Sequence, residues 1–141
     1  MTVAYDPDNI FAKILRGQIP CVKVFEDDKT LAFMDVMPRA DGHVLVISKT
    51  PGRNIFDLAP QALSDLILRV QKIAVAVKAG TGADGVTLHQ FNEPAGGQSV
   101  FHMHFHVIPR WEGIPLRPHG GAMAEASVLE GQAAKIRAAL G

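Results

Sequence analysis

The chain has 141 residues, 48% of them hydrophobic and 20% charged, with 14 basic residues against 14 acidic ones. That length suits one domain with its own core, and the apolar content excludes an intrinsically disordered chain. The even charge argues against a nucleic-acid binder, and no apolar run approaches the ~20 residues of a membrane span.

Cys21 is the one cysteine, so no internal disulfide can form, which fits a reducing compartment. The first nine residues include Tyr5, Asp6, Pro7 and Asp8 and lack the apolar stretch of a signal peptide. The expectation is a soluble, cytoplasmic protein with a single domain over 1–141.

In chain order, Asn9 is an N-cap, and Ile10, Phe11, Ile14 and Leu15 repeat at helical spacing before Gly17. Residues 23–26 read as a strand, 26–29 as a solvated, charged turn, and 30–36 as a second strand. Residues 43–48 are apolar and β-branched, and Pro51 and Gly52 end that strand. Pro60 opens a helix whose stripe of Leu63, Leu66, Ile67, Val70, Ile73, Ala74 and Val77 belongs to the core, with Gly80 and Gly82 ending it. Residues 86–91 read as a strand, 92–99 as a polar, Gly-rich loop, 100–109 as another strand and 122–140 as a helix. Strands clustered in sequence favour antiparallel pairing, hence an α+β fold.

Side chains alternate across a strand, so His102, His104 and His106 are expected on one face, ~6.7 Å apart. Phe101, Met103, Phe105 and Val107 then take the other. One buried histidine is ordinary; three in register are hard to reach by chance. Two chemistries fit. His-x-His on a strand can present ligands to zinc, or an imidazole nitrogen can attack phosphorus while its neighbours handle protons. The loop Asn92-Glu93-Pro94-Ala95-Gly96-Gly97-Gln98-Ser99 leans toward phosphate. Its glycines let backbone N–H groups approach an anion, and Asn92, Gln98 and Ser99 add neutral donors.

The stretch Gly96-Gly97-Gln98-Ser99-Val100-Phe101-His102-Met103-His104-Phe105-His106-Val107-Ile108 resembles the signature of the histidine-triad (HIT) superfamily. The Gly-Gly-Gln-Ser form is most similar to its Hint branch. Residues 9–20, 31–36 and 42–49 resemble the family's first helix and next strands, so the likeness covers roughly 9 to 110. It implies a five-stranded antiparallel sheet with helices packed on it, here with a C-terminal helix added, and a homodimer. It also implies cleavage of a purine nucleotide at the α-phosphorus, in phosphoramidase fashion. His104 matches the nucleophile and His106 the residue near the phosphate and leaving group. His102 and His43 match a supporting pair that sets the nucleophile's tautomer. Asp35 matches the carboxylate that accepts both ribose hydroxyls. Ile10, Phe11, Ile14, Val36 and Leu45 match the base pocket, and Asn92, Gln98 and Ser99 the phosphate contacts.

Taken alone, Asp35 also reads as a turn cap and His43 as a core histidine. His89 has no counterpart in the motif and is expected to be structural; His119 is expected on the surface. Where many relatives carry zinc-binding Cys-x-x-Cys, this chain has Asn9 and Ala12, with Pro51 near the expected histidine, so no metal and no cofactor is expected. The tail beyond Arg110 departs from the Hint branch. Dinucleoside polyphosphate hydrolysis, or a regulatory module that binds nucleotide without turnover, remain the alternatives.

Overall fold

Asn9 caps the first helix, α1 (Ile10–Leu15), as its spacing predicts: its side-chain oxygen accepts the Ala12 N–H at 2.9 Å. That satisfies one of the donors a helix start leaves open. The computed structural model describes residues 3–141; positions 1 and 2 of the segment expected to lack a signal peptide lie outside the described residues.

Strands β1 (Lys23–Glu26), β2 (Thr30–Met34), β3 (Val44–Ser48), β4 (Gly85–His89) and β5 (His104–Arg110) form one antiparallel sheet in the order β1-β2-β3-β5-β4. The long helix α2 (Pro60–Thr81) and the C-terminal helix α3 (Ala126–Leu140) complete the α+β fold. Among the described residues, no helix is long and apolar enough to cross a membrane.

Alternation divides the two faces of the sheet. Val44 and Val46 of β3 join Met103 and Val107 in a core built with Leu66, Val70 and Ile73 of α2 and Leu129, Ala133 and Ile136 of α3. Leu45 and Ile47 face the other way, into a smaller cluster with Phe11, Leu31 and Phe33. Register then places the histidines on this second face. His104 pairs with Ile47, and His106 with Leu45. The sheet's helix-covered side therefore supplies rigidity, and its other side, capped by α1, carries the chemistry.

Three expectations are corrected. First, β5 begins at His104, so His102 precedes the strand. The antiparallel partner it needs lies beyond Ser48, where Pro51 and Gly52 turn the chain away. Met103 instead donates its N–H to the Gly52 carbonyl at 2.9 Å. Phe101 leaves the apolar row as well, with the Arg53 guanidinium 4.0 Å from its ring centroid. Second, Gly80 lies inside α2; Gly82 alone is the left-handed cap, at φ 70°. Gly80 is where α3 crosses: a Cβ there would sit 2.7 Å from the Lys135 carbonyl oxygen. Third, the charged turn is built rather than merely solvated. Asp27 accepts the Lys29 and Thr30 N–H groups and pairs with Arg69 of α2 at 2.8 Å. These contacts hold its carboxyl far below the usual carboxylate range.

Candidate active site

A cleft of about 240 Å³ opens on the second face of the sheet. Ile10, Phe11 and Ile14 of α1 line one wall, with Val36 and Leu45 beside them; Asp35, His43, Ser99, His104 and His106 supply its polar groups. The expected base-pocket residues and most of the expected polar ones thus meet in one place.

Hydrogen bonds fix the tautomer of each central ring. His104 Nδ1 lies 2.6 Å from the main-chain oxygen of His102. A carbonyl only accepts, so Nδ1 carries the proton and Nε2 keeps its lone pair. Burial lowers the His104 pKa to about 4, so the ring is neutral at neutral pH. Phe11 meets it edge-on, with ring centroids 4.9 Å apart.

A second chain of bonds fixes His106. The Arg39 N–H donates to His43 Nδ1 at 3.0 Å, so the His43 proton sits on Nε2. That nitrogen is 3.0 Å from His106 Nδ1, which must accept. His106 is thereby left with an Nε2–H. Burial drives both pKa values down, that of His43 to about 3. The pair of adjacent rings therefore differs in kind: His104 presents a lone pair and His106 a donor.

Asp35 follows β2. Its N–H donates to the His43 carbonyl at 3.0 Å, which ties it to the start of β3. One carboxylate oxygen accepts the Met37 N–H at 2.9 Å, and the other lies 3.5 Å from His43 Nε2. Burial raises its pKa, partly opposed by the Met37 bond. One oxygen of Asp35 thus caps the turn, and the other faces His43 in the cleft.

Four expected site residues are placed differently: His43, expected with His102 to set the nucleophile's tautomer, bonds His106 instead. The His102 ring does not bond to His104. Its Nε2–H donates to the Ser48 carbonyl at 2.6 Å, and its Nδ1 accepts the Tyr5 hydroxyl at 2.7 Å. It is the His102 carbonyl, not its imidazole, that sets the His104 tautomer. Gln98 spends its side chain as a clasp. Its oxygen accepts from Asn54 and from the Glu93 N–H, and its nitrogen donates to the carbonyls of Arg53 and Val100. Asn92 bonds Gln90 and the Ile55 N–H. Both amides shape the loop 92–99, while Ser99 is exposed and lines the cleft. Glu93 adopts φ 69°, a conformation L side chains disfavour, held there by Arg53 at 2.7 Å and by Asn54.

Sequence reading missed Arg39, Tyr5, Ser48, Arg53 and Asn54. Arg39 and Ser48 act through the main chain, which leaves no side-chain signature. As one of two open chemistries, before expecting no metal, sequence reading weighed zinc ligands among His102, His104 and His106. Among the described residues, the group whose donor atoms come together is instead Asp35, His43 and His106, within 4.8 Å of one another.

Comparison with known proteins places the chain in a known family and fold. A family model described as the HIT domain matches residues 16–113. The crystal structure of a Hit-like protein involved in cell-cycle regulation from Bartonella henselae superposes with a TM-score of 0.91. It is 53% identical, over 96% of this chain and 99% of that one. The adenosine 5′-monophosphoramidase hnt1 of Schizosaccharomyces pombe is 34% identical over 77% of this chain and 86% of its own length. The adenylylsulfatase HINT3 of Arabidopsis thaliana is 36% identical over 79% of this chain, which spans 60% of that relative's length.

Proposed function

This chain belongs to the HIT domain family, and from that premise we propose that it is a nucleotide-binding hydrolase or nucleotidyl transferase of phosphoramidase type. Its substrate is a purine nucleotide conjugate, and the bond cleaved is at the α-phosphorus. Two relatives, named adenosine 5′-monophosphoramidase and adenylylsulfatase, carry an adenosine 5′-phosphate group in their names. The observation that carries the reading is the His104 ring, held by the His102 carbonyl so that an unprotonated Nε2 is available beside a donor ring, His106.

In the first step His104 Nε2 attacks phosphorus and the bond to the leaving nitrogen breaks. That nitrogen keeps the electron pair and takes one proton from solvent at the cleft mouth. The phosphorylated ring becomes cationic, and the His102 carbonyl accepts its Nδ1–H, which stabilises the charge as it develops. His106 Nε2–H donates to the α-phosphate or to the departing atom; its Nδ1 is already committed to His43. In the second step water adds to phosphorus and returns one proton to solvent. The P–N bond to His104 breaks, and a nucleoside monophosphate leaves. No step uses a metal.

Asp35 is suited to a ribose, because a carboxylate accepts from both hydroxyls of a cis-diol. The apolar wall of Ile10, Phe11, Ile14, Val36 and Leu45 takes the base, and Ser99 meets the phosphate. We also propose that residues 1–141 act as one domain, since Leu129, Ala133 and Ile136 of α3 are part of the main core. The open edge of β4 suits a homodimer with a joined sheet. The test is turnover of an adenosine phosphoramidate by the pure protein and by His104→Ala. Loss of a nucleophile costs roughly 10³-fold or more in kcat, with AMP affinity little changed. EDTA should leave the wild-type rate untouched.

A further inference from the structure

His119 was expected to be a surface residue of the tail, and it is exposed, yet it lines the same cleft as Asp35, His43 and His106. The segment between β5 and α3 brings it there. The Arg117 N–H donates to the Arg39 carbonyl at 2.8 Å, and Arg39 Nε returns a bond to the Arg117 carbonyl at 2.9 Å. Arg117 also pairs with Asp41. Seven residues on, the Ala124 N–H donates to the Val36 carbonyl at 2.9 Å. The segment is thus a strap pinned on both sides of His119 to the loop that carries Asp35. Gly120, in the left-handed region at φ 70°, turns the chain between the pins.

The placement has a chemical meaning. Asp35 accepts two hydrogen bonds from a ribose diol and offers no donor. The hydroxyl oxygens keep lone pairs that water would otherwise satisfy. On that side of the cleft the Arg39 Nε–H is already spent on the strap. His119 carries a ring N–H and has its side chain in the cleft wall. Its strap is pinned to Val36 and Arg39, in the loop that carries Asp35, which puts it on the Asp35 side of the cleft.

We propose that His119 is a specificity-determining residue: from a strap of the same chain, it reads the ribose hydroxyls together with Asp35. The proposal rests on the nucleotide reading given above. It adds a contact that the triad signature does not contain and that lies outside the residues the HIT family model matches.

The test compares wild type with His119→Ala and His119→Gln, using calorimetry with AMP and 2′-deoxy-AMP and steady-state turnover of an adenosine phosphoramidate. Loss of one neutral hydrogen bond in a solvent-accessible cleft should raise the AMP Kd and the substrate KM about fivefold in His119→Ala, with kcat within twofold. The AMP to 2′-deoxy-AMP preference should shrink, and His119→Gln, which keeps an N–H, should regain part of it. A strap that merely loosened would weaken both ligands equally, so an unchanged preference overturns the proposal, as does an unchanged Kd. Wild-type protein that binds no AMP at all would overturn the nucleotide reading itself, and this proposal with it.

Discussion

His43 Nε2 lies 3.0 Å from His106 Nδ1, and the Arg39 N–H lies 3.0 Å from His43 Nδ1, so one main-chain N–H dictates the tautomer of a ring two residues removed in the chain of bonds. Removing His43 frees His106 to take either tautomer and leaves a buried polar atom unpaired. Such an atom costs about 1–3 kcal/mol, so kcat/KM for His43→Ala should fall by roughly five- to a hundredfold. Nitrogen-detected NMR supplies the direct check: His106 should be in the Nε2–H form in wild type and mixed in the variant. A pure Nδ1–H form in wild type would contradict the bonding chain.

Stability should depend on pH in a defined window. His43 and His104 have folded-state pKa values lowered to about 3 and about 4 by burial, whereas an unfolded histidine titrates near 6.5. As pH falls below about 6.5 the unfolded chain binds protons that the native rings refuse. Stability is therefore whole above that value and is lost progressively down to about pH 3–4. At pH 5 each ring accounts for about 2 kcal/mol at most. Asp35, with a raised pKa, acts in the opposite sense and recovers part of the loss. Urea unfolding at pH 7, 6 and 5 checks this; equal stability at all three would show that the rings are not held neutral.

Two glycine substitutions in helices should have opposite signs. Gly80→Ala puts a Cβ 2.7 Å from the Lys135 carbonyl oxygen and 2.9 Å from the Ile136 Cα, both backbone atoms that cannot swing aside. Overpacking costs about 1–3 kcal/mol, against a helix-propensity gain of about 1 kcal/mol. Gly131→Ala in α3 meets nothing within 4 Å and should gain up to about 1 kcal/mol. Thermal unfolding of both variants decides it: a lower Tm for Gly80→Ala and a higher one for Gly131→Ala.

What the sequence made legible was local. Asn9 with its helical repeat, the apolar, β-branched run over 43–48 and the Pro60 helix all declare themselves within a few residues, and each forms. The cleft's apolar wall followed from the family resemblance, whereas His43, expected to support the nucleophile His104, bonds His106 instead. What escaped was set by distant partners. An amide that binds phosphate and an amide that clasps a loop look alike in a sequence, and Gln98 is the second kind because Arg53 and Asn54 lie within its reach. His102 matched the triad, but its strand partner is missing where Pro51 turns the chain, so its carbonyl does what its ring was expected to do. His119 stood in a Pro- and Gly-rich stretch with no periodicity, and only the pins at Arg117 and Ala124 bring it to the cleft.

The central claim is that His104 Nε2 forms a bond to phosphorus. Rapid acid quench of the protein mixed with an adenosine phosphoramidate, followed by mass spectrometry of its peptides, tests it most directly. The account predicts one adenylyl group on the peptide bearing His104, absent in His104→Ala and formed as fast as the amine is released. Turnover at the wild-type rate by His104→Ala, or an adduct on His106 instead, would contradict it.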